Sequence, residues 1–566
     1  MRKQTKLVAV LSTAALLALG ASMSSFAATG WQEENGTWVY YDKNGDKETE
    51  KWEKSGDNWF YLNDDGEMAT DVIVEYNDNY YYVDENGSMV SNKWVSVENT
   101  NYDSGNEDEP TNHWYYFGAN GKAYKSPTSS DTASFKTING KKYLFDEEGK
   151  MLYGWINKNG QKETGDDAWR TNYGVYYLGD ENDGAQTIGW KYLNITDGQW
   201  DSVAEVGHSN QNVFDDKEQD RWFYFKSNGK KMEGKKGETI NGKKYSFDED
   251  GRMNAEWVNW DHTPTTDSDA KVATYAQGFR YYGSPEDGAR VTKGWFQVVP
   301  DSYLDEGDYN DDSENWYYSD KDGKLITSEL KTINGKKYAF NEVGAMQDGY
   351  MFIKLGNDKK KIELIAKKDT DKAPANPIST DDNYKFDTVD GFKKHAASWE
   401  NSDFKLYYFG SGDDGSMKVN KQTVSIDGEN QTFLFNKSGS YKGSGKTGVD
   451  NKKYYQSGML MAADKDDKYA VIKITKASAT SSTINHIELL TTDEFIENVQ
   501  NNVTNENKYT EEYNMAEKNS ENAAVVYRLV NTVGSVQQSK SKAKDGNDRC
   551  YEVKASGEIV RVFVEK

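Results

Sequence analysis

The stretch KTINGKKYLFDEEGKM at Lys136–Met151 returns as ETINGKKYSFDEDGRM at Glu238–Met253 and as KTINGKKYAFNEVGAM at Lys331–Met346. Ile138 to Ile240 is 102 residues, Ile240 to Ile333 is 93, and a further 93 lands on Ile426 in the worn copy TVSIDGENQTFLF. Self-similarity at a fixed period marks a repeat architecture, in which each unit buries its apolar face only against its neighbours.

Working outward, a shorter unit surrounds this string. It reads tryptophan, a Gly turn, an aromatic triplet, a second Gly turn, then often Met. It runs Trp31, Gly36, Trp38-Val39-Tyr40-Tyr41, Gly45, and again Trp52, Gly56, Trp59-Phe60-Tyr61-Leu62, Gly66, Met68. In the next copy Tyr76 stands for the expected Trp, ahead of Tyr80-Tyr81-Tyr82. The dipeptides Asn35-Gly36, Asn44-Gly45, Asn86-Gly87, Asn120-Gly121, Asn139-Gly140, Asn228-Gly229 and Asn334-Gly335 predict type I′ hairpin turns, because both central residues need φ > 0. Aromatic triplets are strong strand formers with rings on both faces. A lone hairpin is marginal in water, so neighbouring hairpins are expected to stack. The fold class expected is all-β, a solenoid of stacked β-hairpin repeats with a small C-terminal α+β or capping segment.

Composition narrows the function. The chain has 16 Trp, 39 Tyr and 21 Phe but is only 36% hydrophobic, with net charge −24. Arg2, Lys3 and Lys6 precede an apolar run from Leu7 to Leu19, and Ser25-Phe26-Ala27 offers small residues for cleavage, the pattern of a signal peptide over residues 1–27. Losing those three positive charges shifts the balance to −27. Such a field does not attract nucleic acid, and no later run reaches the ~20 apolar residues of a membrane helix. One cysteine, Cys550, excludes an intramolecular disulfide framework, and the five histidines share no metal-ligand spacing. No cofactor is expected. Fragments such as DKDG and DEDG lack the spaced oxygens of an EF-hand, so the acidic inserts read as solvated loops. No GxSxG, HExxH or P-loop motif is present, and a non-catalytic chain is expected.

The pattern Gly-Trp, Gly, aromatic triplet, Gly-x-Met resembles the choline-binding, or cell-wall-binding, repeats of Gram-positive surface proteins. The TINGKKY variant is similar to the carbohydrate-binding repeats of clostridial toxins and the glucan-binding repeats of glucansucrases. The resemblance covers about Gly30 to Met461. It implies sites where adjacent hairpins meet, built from the Gly-Trp tryptophan, the first aromatic of the triplet and an aromatic of the next hairpin. Carried onto this chain, the first site is Trp31 and Trp38 closed by Trp52 or Tyr61, and the second is Trp52 and Trp59. Trp94, Trp114, Trp155, Trp190, Trp222, Trp257, Trp295 and Trp316 complete the candidates, for choline or sugar. The first triplet position reads as Val175, Arg280 and Leu406 in later units, and as Lys142, Lys244 and Lys337 in the three copies of the opening string. A lysine there repels choline, so that string is expected to set the period while Tyr143 and Phe145 feed the stack.

The organisation expected is a signal peptide at 1–27, short repeats over 28–125, long super-repeats with acidic inserts over 126–461, and a cap or small α+β domain over 462–566, with a diverged repeat as the alternative there. The function expected is multivalent attachment of a secreted, surface-associated protein to cell-wall polysaccharide or choline-decorated teichoic acid. The alternatives are an adhesive stalk that binds host or exogenous carbohydrate, and a wall-lytic enzyme with a C-terminal catalytic domain.

Overall fold

A computed structural model describes residues 29–105, 109–127, 131–199, 216–259, 276–370, 372–375, 383–499, 509–514 and 523–566. The expected signal peptide lies outside the described residues. β-Strands dominate, with short helices such as Val389–Asn401 and Thr492–Val499. Among the described residues, no helix is long and apolar enough to cross a membrane.

The chain divides into two compact units. Of the described residues, one holds 29–199, 216–235 and 247–253; the other holds 236–246 and those from 254 onward. In the first, two-stranded antiparallel sheets follow one another: Gly30–Glu34 with Thr37–Tyr41, Lys51–Ser55 with Asn58–Leu62, Val72–Tyr76 with Asn79–Val83, Lys93–Glu98 with Asn112–Phe117, and so on. Register places Trp31 opposite Tyr40 and Glu33 opposite Trp38, so these four share one face while Val39 points to the other and is fully buried. Trp52, Lys54, Trp59 and Tyr61 repeat the arrangement around buried Phe60.

Successive hairpins are joined by one recurrent main-chain bond. The residue two after the second-turn glycine donates its N–H to the carbonyl of the first triplet residue of the preceding hairpin. Met68 reaches Trp38 at 2.7 Å, Met89 reaches Trp59 at 2.8 Å, Met151 reaches Trp114 at 2.7 Å and Met253 reaches Trp222 at 2.9 Å. The second unit keeps the bond at 2.8 Å from Met346 to Trp316, Met417 to Lys337 and Gly445 to Leu406. Each otherwise open strand edge is thereby partly satisfied by its neighbour.

Two turn types serve each hairpin. At Asn35-Gly36, Asn139-Gly140 and Asn334-Gly335 both central residues have positive φ, as type I′ requires. At Asn44-Gly45, Asn86-Gly87, Asn120-Gly121 and Asn228-Gly229 only the glycine does, which corrects the I′ expectation for these four. In the first two a preceding carboxylate organises the turn: Asp42 Oδ1 accepts from the N–H of Asn44 (2.7 Å) and Asp46 (2.9 Å), and Asp84 Oδ1 from Asn86 (2.9 Å) and Ser88 (3.0 Å); in the other two the Asn120 and Asn228 Oδ1 atoms accept from Lys122 and Lys230 N–H instead. This Asx-turn chemistry gives some of the acidic residues a structural role. The Asp46 N–H above all holds the Asp42 carboxyl below its ordinary pKa.

The second unit thickens toward its C-terminal end. Tyr350–Leu355 pairs with both Ile362–Ala366 and Phe404–Tyr408, and helix Val389–Asn401 covers the pair with Phe392, Ala396 and Trp399. The same core continues through Phe433, Met459, Ile472, Ile487 and Val530, so the expected boundary at Met461 falls inside one packed core. The C-terminal stretch also repeats the hairpin signature. Val530 bridges Val536, and Gln537 N–H returns to Leu529 O at 2.8 Å, just as Leu62 bridges Met68 and Ala69 N–H returns to Tyr61 O at 2.8 Å. Residues 525–566 therefore carry a diverged copy of the repeat.

Candidate aromatic clefts between hairpins

Each Gly-Trp tryptophan sits between two rings. One is the third triplet residue of its own hairpin, directly cross-strand; the other is the second triplet residue of the next. Trp31 meets Tyr40 and Phe60, both at 5.4 Å between centroids, and Trp52 meets Tyr61 and Tyr81, both at 5.2 Å. Trp94 meets Tyr116 at 5.2 Å and Tyr143 at 4.9 Å; Trp295 meets Tyr318 at 5.1 Å and Tyr338 at 4.8 Å. These steep contacts match the edge-to-face preference of aromatic quadrupoles. Tyr143 and Tyr338 belong to the opening string, whose Phe145 and Phe340 also stack on Trp94 and Trp295 at 5.7 Å. The string thus builds one wall of each of these two clefts.

The first triplet aromatic forms the outer wall. Trp190 and Trp222 stand 6.2 Å apart at 88°, and Trp295 and Trp316 stand 6.3 Å apart at 84°. Two tryptophans at right angles leave a corner lined by ring faces, the geometry that takes a soft cation or the apolar face of a sugar. Trp59, the outer wall of the second cleft, is 41% exposed. The Nε1 atoms of Trp31 and Trp52 are shielded from solvent and meet no acceptor among the described residues, whereas Trp316 Nε1 donates to Asp413 Oδ1 at 2.9 Å.

Several sequence assignments shift. The ring that reaches Trp31 from the next hairpin is Phe60, not Trp52 or Tyr61. Ile73, opposite Tyr82, takes the tryptophan place in the third hairpin rather than Tyr76. Trp257 pairs with Tyr281, so the first triplet residue there is Phe279, and Arg280 points to the core face, where its guanidinium donates to the Gln277, Gly278 and Phe279 carbonyls. Trp155 and Trp257 are only 9% and 5% exposed. Trp257 is boxed by Phe279, Phe296 and Tyr317, with Nε1 bonded to Val299 O at 2.8 Å. Both serve as core, enclosed by rings of their own and the following hairpins.

The Trp155 cleft is filled by the protein's own ammonium. Lys231 occupies the position that methionine holds elsewhere; its N–H reaches Val175 O at 2.8 Å and its Nζ lies 5.5 Å from the Trp155 centroid. That Nζ donates to Trp169 O. Burial lowers the Lys231 pKa to about 8, with Glu233 and Asp250 opposing the shift. The insert carrying Trp169 is clamped by ions: Arg170 pairs with Asp167 at 2.8 Å, Asp250 at 2.6 Å and Asp197, while Arg252 pairs with Asp248 at 2.7 Å. Both guanidiniums lie 4.9 Å from the Trp169 ring. The sequence reading also missed Tyr192, 48% exposed and 5.0 Å from Trp222. Its place two residues after Trp190, on the same strand face, was the available signal. Among the described residues no group of three His, Cys, Asp or Glu side chains gathers as a metal site.

Comparison with known proteins identifies several of the repeats. Residues 49–94 match the model of the choline-binding repeat, and residues 111–123, 134–151 and 217–231 match that of the putative cell wall binding repeat. Glucosyltransferase-S of Streptococcus mutans serotype c (strain ATCC 700610 / UA159) is 30% identical over 366 residues, covering 58% of this chain and 22% of that relative. The chain thus spans about a fifth of that protein's length. Among solved structures, the modular autolysin LytC of Streptococcus pneumoniae is 18% identical, covers 58% of this chain and 56% of its own, and has a TM-score of 0.29. Choline binding protein F of Streptococcus pneumoniae, solved in the presence of a peptidoglycan analogue, is 19% identical, covers 74% and 98%, and has a TM-score of 0.30. In the matched stretches the hairpins are choline-binding and cell-wall-binding repeats, and the chain is similar to the proteins that carry them.

Proposed function

We propose that this chain is a secreted, non-catalytic surface protein that attaches to cell-wall polysaccharide or choline-decorated teichoic acid through its inter-hairpin aromatic clefts. Within each unit the hairpins wind as a solenoid, which sets the clefts at regular intervals along the chain. The observation that carries the reading is the repetition of one cleft geometry, a tryptophan held between two rings at 4.8–5.4 Å in four hairpins. Weak sites in series gain 10²–10⁴-fold in avidity through effective concentration. The non-catalytic part of the proposal rests on the missing nucleophile and metal motifs.

The test is sedimentation of the protein with purified Gram-positive cell walls. Wild type should co-sediment, and Trp31→Ala combined with Trp52→Ala should lower the apparent affinity by about tenfold or more, since losing linked sites removes avidity. Elution by free choline assigns the ligand to the teichoic acid, and its absence assigns it to glycan. Unchanged sedimentation of the double variant would refute the clefts, and a cleared lane on a wall zymogram would refute the non-catalytic reading.

A further inference from the structure

The C-terminal part of the second unit holds a buried polar cluster that the aromatic clefts do not use. Strand Gly448–Asp450 pairs with Lys453–Gln456, and its outermost rung sets Gly448 opposite Tyr455. Thr447 and Gln456 are the next residues beyond that rung, one on each side of the hairpin. Glu400 arrives from the last turn of helix Val389–Asn401. Its Oε2 accepts from Thr447 Oγ1 at 2.6 Å and from Gln456 Nε2 at 2.6 Å. Ile487, on strand Ile484–Leu490, donates its N–H to Gln456 Oε1 at 2.8 Å, and Ser457 N–H reaches Thr447 Oγ1 at 2.9 Å. A backbone N–H can only donate, so the Ile487 bond fixes which end of the Gln456 amide faces Glu400. Gln456 is buried, Ser457 is fully enclosed, and Lys405 Nζ stands 3.7 Å from Glu400 Oε1 as a countercharge.

Each group stands where an acyl transfer needs it. Thr447 carries a hydroxyl nucleophile with a carboxylate base in hydrogen-bond reach. Gln456 carries the acyl carbon, and its amide touches the same carboxylate oxygen as the hydroxyl. The Ile487 N–H points at the oxygen on which negative charge develops. We propose that Thr447 and Gln456 join in an intramolecular ester, with Glu400 as the catalytic base. Glu400 takes the Thr447 hydroxyl proton while Oγ1 bonds to Gln456 Cδ, and the Ile487 N–H holds the resulting oxyanion. The Cδ–Nε2 bond then breaks, the proton passes from Glu400 to the departing nitrogen, and ammonia leaves. Alcohol and carboxamide become ester and ammonia; no oxidant, reductant or co-reactant is consumed, and Glu400 returns to its starting form. Folding holds both partners together, which replaces a bimolecular encounter. Escape of ammonia into bulk water draws the reaction forward, and exclusion of water from the buried cluster protects the ester. The bond closes the open end of this hairpin where helix Val389–Asn401 and strand Ile484–Leu490 meet it. It is independent of the attachment reading.

Peptide mass spectrometry of the full chain tests it. Trypsin cuts after Lys446, Lys452, Lys453 and Lys465, which puts Thr447 and Gln456 on separate peptides, 447–452 and 454–465. From folded wild type, denatured and digested at neutral pH, the two should emerge as one species lighter than their sum by one ammonia. Hydroxylamine should split it, as it splits esters. Thr447→Val should abolish the linked species and Thr447→Ser should keep it. In protein isolated unfolded and then refolded, Glu400→Gln should slow its appearance about 100-fold or more. Near-UV circular dichroism checks that each variant is folded, and the wild-type digest decides the matter even if a variant is not. Three outcomes overturn the proposal: wild type that yields only the two separate peptides, a linked species that persists in Thr447→Val, or Glu400→Gln that forms it as fast as wild type.

Discussion

At the residue scale, the second-turn glycine answers two demands at once. Its positive φ is one; the other is room for the methionine of the preceding repeat. A Cβ on Gly121, at φ +75°, would lie 2.4 Å from Met89 Sδ, and one on Gly87 would lie 2.8 Å from Met68 Sδ. Gly36, in the first turn, has φ +87° and nothing within 4 Å. Gly36→Ala is therefore expected to cost about 1–2 kcal/mol, the left-handed penalty alone. Gly121→Ala should cost a further 1–3 kcal/mol or so from overpacking. Urea titrations measure the difference, and a Met89→Ala background should recover the excess; equal costs for the two glycines would refute the methionine–glycine lock. Gly-x-Met was plain in the sequence as a spacing. That its two residues belong to contacts with different neighbours was not, because the partner of each lies one repeat away.

At the element scale, the hairpin is a local object and its neighbour contact is not. Asn-Gly and the aromatic triplet foretold each strand pair, since turn chemistry and β-propensity act within a few residues. Which ring closes on which tryptophan depends on the twist and offset between hairpins, so Phe60 was mistaken for Tyr61, and Ile73 was passed over for Tyr76. Lys231 shows the same limit, since only packing reveals that its ammonium is enclosed beside Trp155. Its folded pKa of about 8 lies below the ordinary 10.5. The unfolded chain then holds the extra proton between those values, and stability rises with pH across that window. From pH 7 to pH 10, wild type should gain about 2–3 kcal/mol relative to Lys231→Met. Denaturant unfolding at the two pH values reads this double difference; a zero or negative value would mean that Lys231 is solvated.

At the scale of the whole molecule, the two compact units differ in how they bury apolar surface. The first unit's clusters are small, such as Val90, Tyr115 and Phe117, each tied to a few hairpins. The second unit carries one core from Phe352 to Val530 that joins strands, helix Val389–Asn401 and the C-terminal sheets. Ending the chain at Met461 removes Ile472, Ile474, Ile487, Val526 and Val530 from that core. At about 1.5–3 kcal/mol for each buried aliphatic side chain, the loss is comparable to the stability of a domain. The truncated protein is expected to lose the cooperative thermal transition of its second unit and to keep that of the first. A calorimetric trace that retains both would show that the C-terminal stretch is a dispensable cap.

The sequence by itself determined that this is a repeat of β-hairpins with tryptophan-led aromatic faces, because period, turn dipeptides and strand alternation are local properties of the chain. Tertiary structure decided which aromatics remain open. Trp155 and Trp257 carry the same Gly-Trp or Trp-led signature as Trp31 and Trp295, yet Lys231 fills one cleft and rings of the following hairpin close the other. Burial depends on residues brought from other repeats, and no motif around a tryptophan records them.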